Sequence, residues 1–242
     1  MKRQLTLFVM TVLLAGGSGV VKANLLSNGN LDLTAIGPQT LATPTGWSVN
    51  SFKTISGPFS DGCSSETFAN VLAAGGYGLF FKPFQGSQST GDYINVDLYQ
   101  DNPGTAGLTY SLTGWAGAGA GYVGLNPAGP TKSLLAIDFL DAANTVIGGG
   151  VLDLLGAGLG AGAPTAPATG FGYHPFSVTA TAPAGTVTVR ARASMVDGYA
   201  NPNGGDQAFV VDVFDLEVVP EPSVISLALL SLAGLLAFRR RG

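Results

Sequence analysis

Short runs in which apolar and polar residues alternate fill the sequence between residues 24 and 218, and no segment there carries a helical period of useful length. Glycine, proline and asparagine separate the runs, as is typical of strands joined by turns. The clearest run covers residues 93–99, where Ile94, Val96 and Leu98 fall on one side of a strand. The pattern predicts an all-β domain of eight or nine short strands, arranged as a β-sandwich or jelly roll.

Seven further runs are predicted strands, and they cover residues 78–82, 108–116, 134–140, 146–154, 176–180, 186–193 and 208–218. In the run at 186–193, alternate residues from Val187 to Ala193 are expected to face the interior. The composition agrees, because 36 glycines and a charged fraction of only 11% suit strands and turns better than salt-bridged helices. The glycine- and alanine-rich stretch 156–172 is expected to be a surface loop.

The first 23 residues carry the three-part pattern of a signal peptide. Lys2 and Arg3 precede an apolar run at residues 5–15, and small residues then lead to Ala23. Cleavage is expected after Ala23. The apolar run is about half of the roughly 20 residues that a membrane-spanning helix needs, which argues against an N-terminal anchor.

The last 24 residues have a second three-part pattern, in which a proline-rich motif, an uncharged apolar stretch and a basic cluster follow one another. The prolines prevent a helix from running back into the domain, and the basic cluster is expected to stay on the cytoplasmic side of a membrane. Fifteen apolar residues form a helix that is short for a hydrocarbon core of roughly 30 Å, which favours a transient span. The parts are Pro220, Glu221 and Pro222, then residues 224–238, then Arg239, Arg240 and Arg241.

In order and spacing, these parts resemble the PEP-CTERM sorting signal of Gram-negative bacteria. The resemblance implies that an exosortase-type enzyme cuts near the Pro-Glu-Pro motif, after transient anchoring in the inner membrane, and passes the domain to the cell surface or extracellular matrix. Proteins with this signal tend to accompany exopolysaccharide production and biofilm formation. The chain then divides into a signal peptide (1–23), a β-sandwich domain (24–218) and a sorting signal (219–242). The alternative, a plain C-terminal membrane anchor, predicts the same topology without cleavage.

Charge and cysteine content argue against two classes of protein. Residues 24–218 hold five basic and fourteen acidic residues, a net charge of −9, which disfavours binding to the phosphates of a nucleic acid. Cys63 is the only cysteine, so an intramolecular disulfide framework is excluded. Burial as a small apolar residue is expected for Cys63.

The opening residues 24–32 combine an asparagine–leucine pair, an asparagine–glycine turn and an acidic residue, and further landmarks follow at 45–47, 76–79, 107–112 and 210–216. Together they resemble galactose-binding-like domains of the carbohydrate-binding-module type, which implies a jelly-roll β-sandwich. The resemblance implies a structural calcium ion between the opening segment and the last strand, with Asp32 and Asp212 at the matching positions. Val211 stands where such domains frequently carry another aspartate. In the alternative interpretation, both acids are solvated residues at strand ends.

The polar side of the run at 93–99 is the candidate ligand-binding surface, with Tyr93, Asn95, Asp97 and Tyr99. A pyranose ring has an apolar face and a polar rim, which aromatic side chains flanked by hydrogen-bonding groups match. The alternative is an ordinary half-covered sheet face.

Enzymatic chemistry finds little support in the sequence. His174 is the only histidine, and its tyrosine and proline neighbours indicate a turn before a strand rather than a catalytic or metal site. Asp138 and Asp141 could pair for glycoside hydrolysis, but fourteen acids in the domain make chance pairs expected. The leading hypothesis is a non-enzymatic surface or matrix protein that associates with extracellular polysaccharide. The alternatives are a structural or adhesive matrix protein without glycan specificity, and a hydrolase acting on matrix glycans.

Overall fold

The computed structural model describes residues 23–33, 43–54, 62–71, 76–160 and 171–220. The chain divides into one compact unit, Asn24–Val218, and a second unit made of Met1–Ala23 and Val219–Gly242. Nearly all of the second unit lies outside the described residues, and so do the predicted signal peptide, Glu221, Pro222, the apolar stretch and the arginine cluster. Within the described part of the chain, no helix is long and apolar enough to cross a membrane.

Ten strands are found in the described residues: Ser48–Lys53 (β1), Cys63–Glu66 (β2), Gly78–Phe81 (β3), Ile94–Pro103 (β4), Thr109–Ala118 (β5), Lys132–Leu140 (β6), Val146–Asp153 (β7), His174–Thr181 (β8), Thr188–Gly198 (β9) and Phe209–Val219 (β10). Single-turn 3-10 helices lie at Thr67–Ala69 and Val123–Leu125. The strand order is β1-β4-β9-β6-β7 in sheet one and β2-β3-β10-β5-β8 in sheet two. Neighbours such as β4 and β9 pair antiparallel, and the predicted all-β sandwich is confirmed.

Each of the eight predicted runs overlaps one of the strands β3 to β10. The sequence does not predict β1 or β2, because β1 has its apolar residues Val49 and Phe52 three positions apart and β2 has a single apolar residue. The expectation for Val187 is wrong, since this residue precedes β9 and is 47% exposed. Cys63 is buried in β2, as expected. Most of the predicted loop at 156–172 lies outside the described residues.

The main hydrophobic core lies between the two sheets. From sheet one, β4 contributes Ile94, Val96 and Leu98, which are at most 1% exposed. From sheet two, Phe81 of β3 stacks on Phe209 of β10 with ring centroids 4.8 Å apart. Burial of one such side chain stabilises the fold by roughly 1.5–3 kcal/mol, so each strand is held with its apolar side inward.

A second, smaller core lies on the outer side of sheet two. Phe80 and Val210 alternate with neighbours that face the main core, and they therefore point away from it. Ala69, Val71 and Tyr173 pack against them, and the Tyr173 hydroxyl donates a hydrogen bond to the Ala69 carbonyl. Sheet two is therefore covered on both sides in this region.

The opening segment 24–31 joins the two sheets. Its Gly29 carbonyl accepts a hydrogen bond from the amide of Phe214 in β10 at 2.7 Å, and its Ser27 amide donates to the side chain of Gln100 in β4 at 2.8 Å. Position 29 needs glycine, since an added Cβ would lie 2.3 Å from the Phe214 carbonyl oxygen. The first residues of the unit are thus fixed against its last strand.

Candidate functional site

The outer side of sheet one carries a cluster of aromatic and charged side chains, which we call the outer face. Residues opposite each other in an antiparallel pair project to the same side of a sheet, and the register places Asn50 opposite Asp97 and Asp97 opposite Ser194. The alternation continues into β6, where Asp138 lies opposite Arg190. The outer face comprises Asn50, Phe52, Tyr93, Asn95, Asp97, Tyr99, Asp101, Asp138, Arg190, Arg192 and Ser194.

Strand β4 supplies the middle of the outer face. Because alternate residues of β4 are buried in the main core, the side chains between them must point outward. Asn95, Asp97 and Tyr99 are accordingly half-buried on the outer face, and Tyr93 lies on the same side just before the strand. The structure therefore brings the four residues predicted from the sequence onto one surface. That they bind a ligand stays a prediction.

One end of the outer face is aromatic. Phe52 of β1 is 58% exposed, and its ring centroid lies 6.1 Å from that of Tyr93. The amide of Thr54 donates to the Tyr93 carbonyl at 3.1 Å and the Tyr93 amide donates to the Thr54 hydroxyl at 2.9 Å, which holds the two strands in register here. Phe52 is missed by the sequence pattern, because Val49 and Phe52 project to opposite sides of β1 and the sequence does not show which side is buried.

The other end of the outer face is a stack of an arginine on a tyrosine. The guanidinium of Arg190 lies 4.2 Å from the ring centroid of Tyr99, an arrangement in which the cation is attracted by the ring. Arg190 also donates to both carboxylate oxygens of Asp101, at 2.6 and 2.9 Å. This hydrogen bonding raises the pKa of Arg190. Arg190 thus covers one face of the Tyr99 ring, but it does not stack on the rings of Phe52 and Tyr93.

Arg192 occupies the centre of the outer face. It donates to both oxygens of Asp138, at 2.7 and 3.1 Å, and to the Ser194 hydroxyl at 2.7 Å. The Ser194 hydroxyl in turn donates to Asp97 at 2.5 Å. Asp138 is only 8% exposed, and the cost of removing both charges from water largely offsets their attraction, so the main consequence of these contacts is a fixed orientation of the side chains.

The residues considered for enzymatic chemistry have structural partners. Asp138 is held by Arg192, and Asp141 accepts hydrogen bonds from the amides of Ala143 and Thr145, both at 2.9 Å, in the turn between β6 and β7. His174 begins β8 in sheet two rather than forming a turn before a strand. The structure therefore does not bring His174 and the outer face onto one sheet.

The predicted calcium ligands Asp32 and Asp212 lie close enough for their charges to interact. Asp212 is 1% exposed, and its two carboxylate oxygens accept the amides of Val71 at 2.8 Å and Val213 at 2.7 Å. Burial raises the pKa of Asp212 to about 7; the two amide hydrogen bonds oppose this rise and the charge of Asp32 adds to it.

The Asp32 carboxylate is likewise hydrogen-bonded. It accepts the amide of Tyr77 at 2.9 Å and the side chain of Asn30 at 2.5 Å, one on each oxygen. Calcium prefers six to eight oxygen ligands, and in the described ranges no three histidine, cysteine, aspartate or glutamate side chains form a group that could hold a metal. The calcium site stays a prediction from the sequence.

No family model matches the sequence, and no curated protein matches it. Among solved structures, the enzymatically active domain of bacteriophage CBA120 tailspike protein 4 is 11% identical with a TM-score of 0.46, covering 81% of this chain and 21% of the tailspike chain. The module TmCBM61 in complex with beta-1,4-galactotriose is 13% identical with a TM-score of 0.43, covering 80% of this chain and 97% of that one. The protein described under "CBM4 structure and function" is 13% identical with a TM-score of 0.40, covering 80% of this chain and 99% of that one. Carbohydrate-binding modules are thus among the structures similar to this chain, which spans about a fifth of the tailspike chain.

The stability of the protein should depend on the protonation of Asp212. Its pKa of about 7 exceeds the ordinary value of 3.8, so the folded state binds this proton more tightly than the unfolded state does. The stabilisation from this proton is fully present below the pKa of Asp212 in the unfolded chain, and it is lost as the pH rises through 7. The free energy of unfolding falls by roughly 4 kcal/mol over this range. In urea unfolding between pH 4 and 8, Asp212→Asn should flatten the dependence of the unfolding free energy on pH. Equal dependence in both proteins would contradict the assignment.

The same measurement with calcium and with a chelator tests the metal prediction. A bound calcium ion would compete with the proton for Asp212, so it should raise the unfolding midpoint most above pH 7. This rise should disappear in Asp212→Asn. A midpoint that calcium does not change would argue against the site.

Proposed function

We propose that this chain is an exported, non-enzymatic protein of the cell surface or extracellular matrix, with a jelly-roll domain whose outer face binds carbohydrate. The observation that carries the proposal is the aromatic pair of Phe52, which is 58% exposed, and the half-buried Tyr93, set beside a row of hydrogen-bonding side chains on the outer face of sheet one. The ligand we propose is extracellular polysaccharide.

The two kinds of group on the outer face suit the two parts of a sugar ring. Phe52 and Tyr93 offer ring surface against which the apolar face of a pyranose can stack. Asn50, Asn95 and Asp97 offer amide and carboxylate groups that can bind hydroxyls along β1 and β4. Stacking alone would give little selectivity, and polar contacts alone would compete poorly with water, so their combination favours sugar binding.

The distribution of the two cores supports the choice of sheet one. The smaller core packs Ala69, Val71 and Tyr173 against the outer side of sheet two, which leaves less of that sheet accessible. On sheet one, a large aromatic side chain such as Phe52 remains 58% exposed. Exposed aromatic surface with polar side chains around it is typical of an interaction site.

A hydrolase is less well supported than a binding protein, because the acids considered for the reaction are held by structural partners. Asp138 receives two hydrogen bonds from Arg192, and Asp141 shapes the turn that follows β6. A general acid has to present a carboxyl group to the leaving group during the reaction, whereas both oxygens of Asp138 are taken by the guanidinium of Arg192.

Transport to the surface is the second part of the proposal. An exosortase-type enzyme would act near Pro220, Glu221 and Pro222, after the stretch 224–238 has held the chain transiently in the inner membrane. The folded unit ends at Val218, so cleavage at this motif would leave the β-sandwich complete. The support for this part comes from the sequence.

Phe52→Ala should weaken binding of the full-length chain to immobilised exopolysaccharide by roughly tenfold, because it removes a stacking surface. Val151→Ala is the matched control, since Val151 is 59% exposed on β7 of the same sheet but is not aromatic. Its binding should equal that of the parent chain. Loss of binding in both variants, or in neither, would favour the alternative of an adhesive matrix protein without glycan specificity.

The intact mass of the extracellular form tests the sorting proposal. Processing at both ends should give a chain that starts at Asn24 and stops within or near residues 220–222, without the apolar stretch and the arginines. A mass that includes residues 224–242 would identify a plain membrane anchor instead.

A further inference from the structure

We infer that the polysaccharide bound by the outer face is uncharged, and that this face discriminates against polysaccharides that carry uronate carboxylates. The inference rests on the proposed function and adds the chemical class of its ligand. It follows from how the arginines and aspartates of the outer face are paired and from which of them meets the solvent.

Both arginines of the outer face are already compensated by carboxylates. Arg192 donates to two oxygens of Asp138 and also contacts Asp97 at 3.4 Å and the Ser194 hydroxyl. Arg190 holds both oxygens of Asp101. A uronate would need a guanidinium edge for the paired hydrogen bonds that make arginine a good carboxylate receptor, and here an aspartate of the protein takes that position.

The carboxylates of these pairs are more exposed than the guanidinium groups in the two pairs that border β4. The Asp101 side chain is 41% exposed against 23% for Arg190, and the Asp97 side chain is 35% exposed against 19% for Arg192. Arg190 has a further part of its surface turned to the ring of Tyr99. In the third pair the order is reversed, since the Arg192 side chain is 19% exposed against 11% for Asp138. Along β4, an approaching anion would therefore meet the oxygens of Asp97 and Asp101 before it meets a cation.

The net charge acts in the same direction at longer range. The outer face carries three aspartates against two arginines, and the whole of residues 24–218 carries a net charge of −9. A protein field of one sign repels a polymer of the same sign and slows its association, most strongly at low salt. Neutral sugars are unaffected by this field, because their contacts are hydrogen bonds and ring stacking.

A matched pair of polymers tests the inference. Each neutral polysaccharide that the full-length chain binds is oxidised at its primary hydroxyls to uronate, which keeps the ring and the linkage. At low salt the oxidised polymer should bind roughly tenfold more weakly than its neutral parent, and the difference should shrink as salt is added.

Equal or tighter binding of the oxidised polymer at low salt would overturn the inference and leave the proposed function intact. Failure of every neutral polymer to bind would overturn the proposed function itself, and the inference with it.

Asp101→Asn should reverse part of the discrimination. It removes the carboxylate from Arg190, so the ratio of oxidised to neutral binding should rise several-fold. Asp153→Asn is the matched control: Asp153 ends β7 on the same side of sheet one, is 44% exposed, and lies 3.9 Å from Lys132 rather than beside an arginine. It changes the net charge by the same amount, so it should raise the ratio only by the small contribution of the long-range field, well below the rise in Asp101→Asn. An unchanged ratio in Asp101→Asn, or equal rises in both variants, would contradict the role assigned to the pairing with Arg190.

Discussion

Burial of one side of β4 is the constraint on which the rest of the outer face depends. Ile94, Val96 and Leu98 are almost completely buried, and each contributes roughly 1.5–3 kcal/mol. A shift of one residue in register would expose all three. The side chains that alternate with them in β4 must therefore lie on the outer side of the sheet. The same alternation in β9 buries its apolar residues and places Arg190 and Arg192 beside β4. The polar surface is thus a consequence of the core.

The two sheets differ in what covers them. Sheet two has the main core on one side and the smaller core around Phe80 and Val210 on the other, which suits a role in support. Sheet one carries charged pairs and the aromatic pair of Phe52 and Tyr93 on its outer side, and the exposed ones, such as Phe52 and the pair of Arg190 with Asp101, add little to stability. These side chains are held in fixed positions by their neighbours, and the fold does not depend on them for stability. They are therefore suited to binding a ligand. This division between the sheets is the physical basis of the functional proposal.

The sequence predicts the parts of this arrangement that depend on local alternation and misses those that depend on distant residues. The inward side of β4 and the outward positions of Asn95, Asp97 and Tyr99 follow from a period of two. Phe52 does not, because its strand has no regular period. The pairing of Arg190 with Asp101 joins residues 89 positions apart, and it depends on the strand order of sheet one, which alternation does not encode.

A titration followed by NMR tests most directly whether the outer face binds a neutral sugar chain. An oligosaccharide taken from a bound polysaccharide should shift the amide signals of Phe52, of residues 93–101 and of residues 190–194. Signals of sheet two, including those around Phe80 and Val210, should stay in place. Shifts confined to sheet two or to the loops, with β4 unaffected, would show that the outer face is not the binding site.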